Sequence, residues 1–215
     1  MSLKFPREVC AQRLHEGLRE IALPLPEATQ SRLLDYLELM DKWNQAYNLT
    51  AIRKPLEMVD KHLLDSLSLL PHIQDAPLLD VGAGAGLPGL VIAIARPIVE
   101  VTLVDAVAKK VQFMQHAIRT LGLANAHAIH SRIENLTGQY PQITSRAFAN
   151  LSDFVNLTRP LLGTGGVWLA MKGQIPHDEL HTLPAWVKVA STPQLRVLAL
   201  LGERHLILLT DQDMP

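Results

Sequence analysis

Seven consecutive residues, Asp80-Val81-Gly82-Ala83-Gly84-Ala85-Gly86, carry the densest chemical signal in the chain. Glycines at alternate positions let a backbone turn tightly and approach a ligand closely. The flanks give the loop its meaning. Residues 78–81 read as a short apolar strand, and residues 90–95 begin a helix that Pro97 stops. In an open α/β sheet this places the loop at the carboxyl end of a strand, where ligands bind. Taken alone, such a loop is as readily a plain structural turn.

Two carboxylates narrow the ligand. Asp105 closes a second strand about 20 residues past the loop, where an acid can hydrogen-bond ribose hydroxyls. A G-x-G-x-x-G fingerprint begun at Gly82 would need a glycine at 87, and that residue is Leu87. Asp80 adds negative charge, which repels a pyrophosphate and suits a cationic ligand. S-adenosylmethionine meets those terms: it has a ribose, a sulfonium, an ammonium and no phosphate. D-x-G-x-G-x-G with an acid after the next strand resembles motifs I and II of class I methyltransferases. The resemblance implies that Asp80, Gly82, Gly84, Gly86 and Asp105 belong to a cofactor site.

The elements that must hold these residues follow from periodicity. Residues 26–44 read as an amphipathic helix with Leu33, Leu37, Met40 and Asn44 on one stripe and Trp43 beside it. A polar loop covers 45–54. Pro55 opens a helix to about residue 70 with the stripe Leu56, Val59, Leu63, Leu67 and Leu70. His62, Asp65 and Ser66 share another face of it. From residue 78 strands and helices alternate. Strands are expected at 78–81, 99–104, 126–130, 143–149 and 166–171, and helices at 90–95, 106–121 and 151–161. Runs 195–201 and 205–210, joined by Gly202-Glu203, read as a hairpin that adds one antiparallel strand. The expected fold is α/β: a doubly wound, mostly parallel seven-stranded sheet, Rossmann-like, of the class I methyltransferase type. A helical region over 1–75 precedes a methyltransferase domain over 76–215.

Composition excludes several classes. The chain has 215 residues, 48% hydrophobic and 19% charged, enough for a large core without metal or disulfide staples. Its formal net charge of -1 lacks the basic footprint of a general nucleic-acid binder, though basic residues gathered on one face would escape that test. Cys10 is the single cysteine, so no intrachain disulfide forms, which suits a reducing compartment. The first 20 residues hold no apolar signal-peptide core. The longest apolar stretch, 87–95, contains Pro88 and Gly89 and is far shorter than a membrane span. A soluble, cytoplasmic, monomeric protein is expected. No metal site is expected, because His62 and Asp65 have no further ligands at metal spacing.

What is missing narrows the methylation chemistry. Attack at cytosine C5 needs a thiolate, and Cys10 lies before the catalytic fold begins. Exocyclic-amine methylation by the usual route has an Asn/Asp-Pro-Pro-aromatic turn after strand four. Here that place holds Ser145-Arg146-Ala147-Phe148-Ala149-Asn150. A nitrogen with a free lone pair, such as guanine N7, needs neither device.

Further strings carry a specific likeness. They are Lys42 to Thr50 (KWNQAYNLT), His62-Leu63-Leu64-Asp65-Ser66, Asp80 to Gly89 (DVGAGAGLPG) and Ser131-Arg132-Ile133-Glu134. Ser145 to Ala149, Leu169 to Gly173 and Gly202-Glu203-Arg204-His205 complete the set. In this order and spacing the chain resembles the ribosomal RNA small-subunit methyltransferase G family, also called glucose-inhibited division protein B, over about residues 30–210. The resemblance implies methyl transfer from S-adenosyl-L-methionine to N7 of a guanosine in the decoding-region loop of 16S ribosomal RNA. The partner would be that RNA within a small ribosomal subunit or an assembly intermediate.

By the same resemblance, cofactor contacts fall on Gly82, Leu87, Ile133, Glu134 and Arg146. By itself Glu134 reads as a solvent-facing helix acid, and Lys172 and Arg204 read as surface cations. Together with Arg146 they are candidates for gripping phosphate or the guanine O6. His62 and Asp65 read locally as a polar helix face; the family pattern turns them into a wall of the active site. Trp43 and Tyr47 are open between base stacking and core packing. Relatives often end in a basic tail, whereas this chain ends Asp211-Gln212-Asp213-Met214-Pro215. Two other readings remain: a nucleotide-dependent oxidoreductase, against which the absent third glycine counts, and a non-enzymatic RNA-binding or assembly factor with a relic loop.

Overall fold

The computed structural model describes residues 5–146, 148, 150–197 and 202–214. Its strands are β1 (Leu78–Val81), β2 (Val101–Asp105), β3 (Ala126–His130), β4 (Tyr140–Arg146), β5 (Leu162–Lys172), β6 (Val187–Ser191) and β7 (His205–Asp211). They form one sheet in the order β3-β2-β1-β4-β5-β7-β6. The first five strands of that order pair in parallel. β7 runs antiparallel to both its neighbours. The chain winds outward from β1 through β2 to β3, then resumes on the other side of β1 with β4. The switch point therefore lies between the carboxyl ends of β1 and β4, where an open sheet leaves a crevice.

Side chains alternate across the strands, and the alternation sorts the core into two layers. Leu78 and Leu103 face a cluster on one side; Leu79 and Val104, their neighbours in sequence, face a cluster on the other. The second layer is covered by α7 (Leu151–Thr158), with Phe154 and Val155 wholly buried. The first layer is covered by α5 (Gly89–Ala95) and α6 (Ala108–Leu121), the latter ended by left-handed Gly122 at φ +60°. Outside them lie α1 (Arg7–Glu20) and α2 (Glu27–Tyr47). Leu33, Leu37 and Met40 of α2 are fully buried in the same cluster as Leu78 and Leu90. The N-terminal helices and the sheet thus share one continuous core.

The helix expected over 55–70 is not uniform. It consists of α3 (Pro55–Met58), a π-helical segment (Val59–Leu64), α4 (Asp65–Leu67) and a 3-10 turn (Leu70–His72). A π segment inserts an extra residue per turn and is often found at functional sites. Val59, Leu63, Leu67 and Leu70 are buried as the stripe requires, but Leu56 is 41% exposed. The stripe begins one turn later than expected.

The C-terminal hairpin is corrected. The partner of β7 at the sheet edge is β6, not the run 195–201, of which residues 198–201 lie outside the described residues. Gln194 makes an isolated bridge to His205, and the Leu195 amide donates to the Arg204 carbonyl at 2.7 Å. Leu195 and Val197 are hydrophobic because they insert into the core, not because they pair in the sheet. β6 buries only its first residue, so it carries no alternating signal. β4 ends at Arg146 rather than 149; Ala147 and Ala149 lie outside the described residues. Arg146 ends β4, Lys172 ends β5 and Arg204 precedes antiparallel β7, so all three stand at the carboxyl edge of the parallel strands.

Candidate active site

The glycine loop is fixed from three directions. The phenol of Tyr36, buried on α2, donates to the Ala85 carbonyl at 2.7 Å. The Asp80 Oδ2 accepts from the Gly89 amide at 2.8 Å. The Asp105 Oδ2 accepts from the Gly84 amide at 2.9 Å, while its Oδ1 accepts from Val107 at 2.8 Å. Gly82, Gly84 and Gly86 all have positive φ. A Cβ on Gly82 would meet no atom within 4 Å, so this residue opens onto free space. A Cβ on Gly86 would lie 2.5 Å from the Leu90 side chain, so glycine is required there by packing.

Two cavities flank the switch point. A smaller one of about 230 Å³ is bounded by Gly82, Asp105, Ile133, Glu134 and Phe148. Four of the predicted cofactor residues are thereby brought together from the ends of β1, β2 and β3. The others stand apart from it. Asp80 and Leu87 are buried, at 0% and 4% exposure, and line neither cavity. Gly84 commits its amide to Asp105, and Gly86 is packed under Leu90. None of these four lines the smaller cavity, and the sequence pattern does not separate them from Gly82.

Asp80 also carries an electrostatic cost. Burial pushes its carboxyl up to about 7, against the opposing pull of the Gly89 hydrogen bond and of Arg146. Its Oδ1 is buried without a hydrogen-bond partner.

The larger cavity, about 450 Å³, collects all five predicted catalytic residues: Arg146, Lys172, Arg204, His62 and Asp65. They come from the ends of β4 and β5, the residue before β7, and the π and α4 turns. Asp65 is the hub. Its Oδ2 accepts from Arg146 Nη1 at 3.1 Å and its Oδ1 from Arg204 Nε at 3.2 Å. One carboxylate, its side chain 6% exposed, thus holds two guanidinium groups that would otherwise repel. Arg146 also donates to the Lys61 carbonyl at 2.9 Å. Lys172 is paired separately, with both oxygens of Glu179 at 3.0 and 2.8 Å.

His62 is buried, and burial with the nearby Arg146 charge pushes its imidazole down to about 4. Its Nε2 lies 3.1 Å from Thr50 Oγ1, and its Nδ1 has no partner. Thr50 is itself held, its amide donating to Asn44 Oδ1 at 2.9 Å. The Asn44 amide group donates in turn to the Ile52 carbonyl at 3.0 Å. The loop after α2, read from sequence only as polar, is therefore a wall of the site. Asn44 and Thr50 stand in the string that carries the family likeness, and that was their signal. Glu179 had none: it sits in the five-residue helix α8 (His177–His181), in no motif.

Trp43 packs in the core, 5.6 Å from the Phe113 ring and 5.1 Å from His116, and lines neither cavity. Tyr47 lies 5.1 Å from Trp43 and is 47% exposed. The acidic C-terminal residues are used within the fold: Arg159 pairs with Asp211 at 2.7 Å and Asp213 at 2.9 Å. Among the described residues, no cluster of three His, Cys, Asp or Glu is placed to hold a metal, and no helix is long and apolar enough to cross a membrane.

The sheet order, the glycine loop and the acid after β2 define a class I methyltransferase that uses S-adenosylmethionine. The residues fit that cofactor: Gly82 is open, Asp105 offers carboxylate lone pairs at the same cavity, and Asp80 leaves an unpartnered buried acceptor beneath the loop. The family model of GidB, rRNA small subunit methyltransferase G, matches residues 29–207. A ribosomal RNA small subunit methyltransferase G of Acidovorax sp. (strain JS42) is 50% identical over 208 residues, covering 90% of this chain and 92% of the relative. That of Methylobacillus flagellatus is 47% identical over 200 residues, covering 92% and 97%. The chain belongs to the rRNA small subunit methyltransferase G family.

Among solved structures, the ribosomal protein L11 methylase of Lactobacillus delbrueckii subsp. bulgaricus superposes with a TM-score of 0.56 at 12% identity, over 71% of this chain and 79% of that one. Coclaurine N-methyltransferase bound to N-methylheliamine and SAH gives 0.55 at 14%, over 88% and 74%. At such identities the likeness is one of fold.

Proposed function

We propose that this chain methylates N7 of a guanosine in the decoding-region loop of 16S ribosomal RNA, acting on the small ribosomal subunit or an assembly intermediate. The observation that carries the reading is the convergence of Arg146, Lys172 and Arg204 around one cavity at the carboxyl ends of β4 and β5. Residues 1–75 supply one wall of the site and 76–215 the cofactor-binding sheet. A soluble, cytoplasmic monomer is the state in which such an enzyme would work.

S-adenosylmethionine supplies, when bound, an electrophilic methyl group on a sulfonium. The chain's own residues have to bind, orient and exclude water. Asp105 would take the ribose hydroxyls, while Ile133 and Glu134, which line the same cavity, would hold the adenine edge. N7 carries a free lone pair and no proton, so accepting a methyl group there would require no general base from this chain. A cation on the guanine O6 would draw electron density away from N7 and slow this attack. We therefore assign Arg146, Lys172 and Arg204 to phosphate, with rate coming from in-line placement of the base.

The pH profile tests the absence of a base. With its imidazole near 4, His62 is neutral from pH 6 to 9 and changes charge only below that window. The single-turnover rate is expected to show no one-proton rise between about pH 6 and 9. A rise that disappears in His62→Ala or Asp65→Asn would refute the positioning mechanism.

Substrate form gives the direct test. A chain of net charge -1 exerts little long-range pull on RNA, so shape presented by a particle has to supply recognition. Unmodified small subunits are expected to yield N7-methylguanosine at least about tenfold more efficiently than a hairpin of the same sequence, equivalent to roughly 1.4 kcal/mol. Nucleoside analysis of both products at equal RNA concentration reads the outcome. Equal efficiency would show that local sequence suffices.

A further inference from the structure

Lys172 is the one predicted cation of the larger cavity that does not touch Asp65 among the contacts described. Its ammonium meets both oxygens of Glu179, at 3.0 and 2.8 Å, and its side chain is only 15% exposed. The same carboxylate accepts from the Leu151 amide at 2.7 Å. Leu151 is the first residue of α7, immediately after the segment that carries Arg146 and Phe148. A second bond fastens the same contact: Ser152 Oγ donates to the Thr182 carbonyl, just past α8, at 2.9 Å.

We propose that Glu179 is a positioning residue for methyl transfer. It fixes the Lys172 ammonium at the cavity and registers the end of β5 against the first turn of α7. The proposal rests on the reading that this cavity receives RNA phosphate. An exposed ion pair of a single contact would do little, because a free lysine has many rotamers and water competes for it. Here three hydrogen bonds converge on one carboxylate, and the lysine stem is largely covered. Glu179 does for Lys172 what Asp65 does for the two arginines: it selects one direction for the charge and lowers the net charge offered to RNA.

This role has a signature that a purely structural one lacks. Freed from Glu179, Lys172 remains a cation and binds phosphate from many directions, so RNA binds no worse while the base is held less accurately. In Glu179→Gln, which retains an acceptor for the Leu151 amide, kcat on unmodified small subunits is expected to fall about tenfold with KM unchanged or lower. Cofactor affinity is expected to stay within about twofold, on the scale where 1.4 kcal/mol is tenfold. Binding of a single-stranded 16S fragment is expected to depend more steeply on salt, by up to about 0.7 in the logarithmic slope, because the Lys172 charge is no longer offset by Glu179. A kcat within twofold of the parent overturns the proposal, as does an unchanged salt slope. A rise in KM together with loss of cofactor affinity and of thermal stability also overturns it, because that is the pattern of general damage. If the parent enzyme itself makes no N7-methylguanosine, the functional reading fails, and the salt slope still decides whether Glu179 covers Lys172.

Discussion

Asp65→Ala is expected to abolish most methyl transfer to RNA, lowering the single-turnover rate by about 100-fold or more, equivalent to roughly 2.7 kcal/mol. The cause is geometric and electrostatic together. Asp65 holds Arg146 through one oxygen and Arg204 through the other, at 3.1 and 3.2 Å. Without it, two guanidinium groups at the ends of different strands lose their shared counter-charge and repel each other. Removing one partner from a largely buried charge network costs far more than the network's net worth. Asp65→Asn keeps the shape but not the charge, and is expected to fall between parent and alanine variant. Because Asp65 does not line the smaller cavity, cofactor binding is expected to survive. Rates on unmodified small subunits, with calorimetric titration of the cofactor beside them, check both halves. An alanine variant within threefold of the parent rate would remove Asp65 from the site.

Asp105→Ala is expected to weaken S-adenosylmethionine binding by about 10- to 100-fold, as the loss of charge-assisted hydrogen bonds worth roughly 1.5–3 kcal/mol implies. The structure gives this residue two tasks. It faces the smaller cavity, and it accepts from the Gly84 and Val107 amides that set the loop. Asparagine can keep one of those acceptors, so Asp105→Asn is expected to lose less than alanine. Calorimetric titration measures each. Unchanged affinity in a folded alanine variant would leave Asp105 as a loop clamp only.

The outline of the fold was legible because its signals are local. Strands β1 and β2 are apolar runs bounded by turn residues, and Gly122 needs a left-handed backbone that few other residues tolerate. The glycine loop was legible for the same reason. The edge strand β6 was not: four of its five residues face solvent, so its place depends on pairing with β7 and not on its own pattern. The run at 195–201 misled in the opposite sense, since Leu195 and Val197 are apolar to fill the core.

The sequence by itself determined the chemistry available: a loop that admits a ligand, an acid for a ribose, no thiolate beyond Cys10, and a set of cations scattered over the 59 positions from Arg146 to Arg204. Only the tertiary structure decided what those groups do. Asp80, Gly84, Gly86 and Leu87 belong to the same motif as Gly82, yet folding turns Asp80 and Leu87 inward and commits the Gly84 amide to Asp105. Asp65 and Arg204 lie 139 positions apart and meet at 3.2 Å because α4 and the start of antiparallel β7 both come to the edge where β4 and β5 end. Glu179 carries no motif at all; it became visible through the three hydrogen bonds that end on it. Motifs record residue types along the chain, whereas the partner of a charge is set by the distance between segments, and that distance exists only once the sheet has formed.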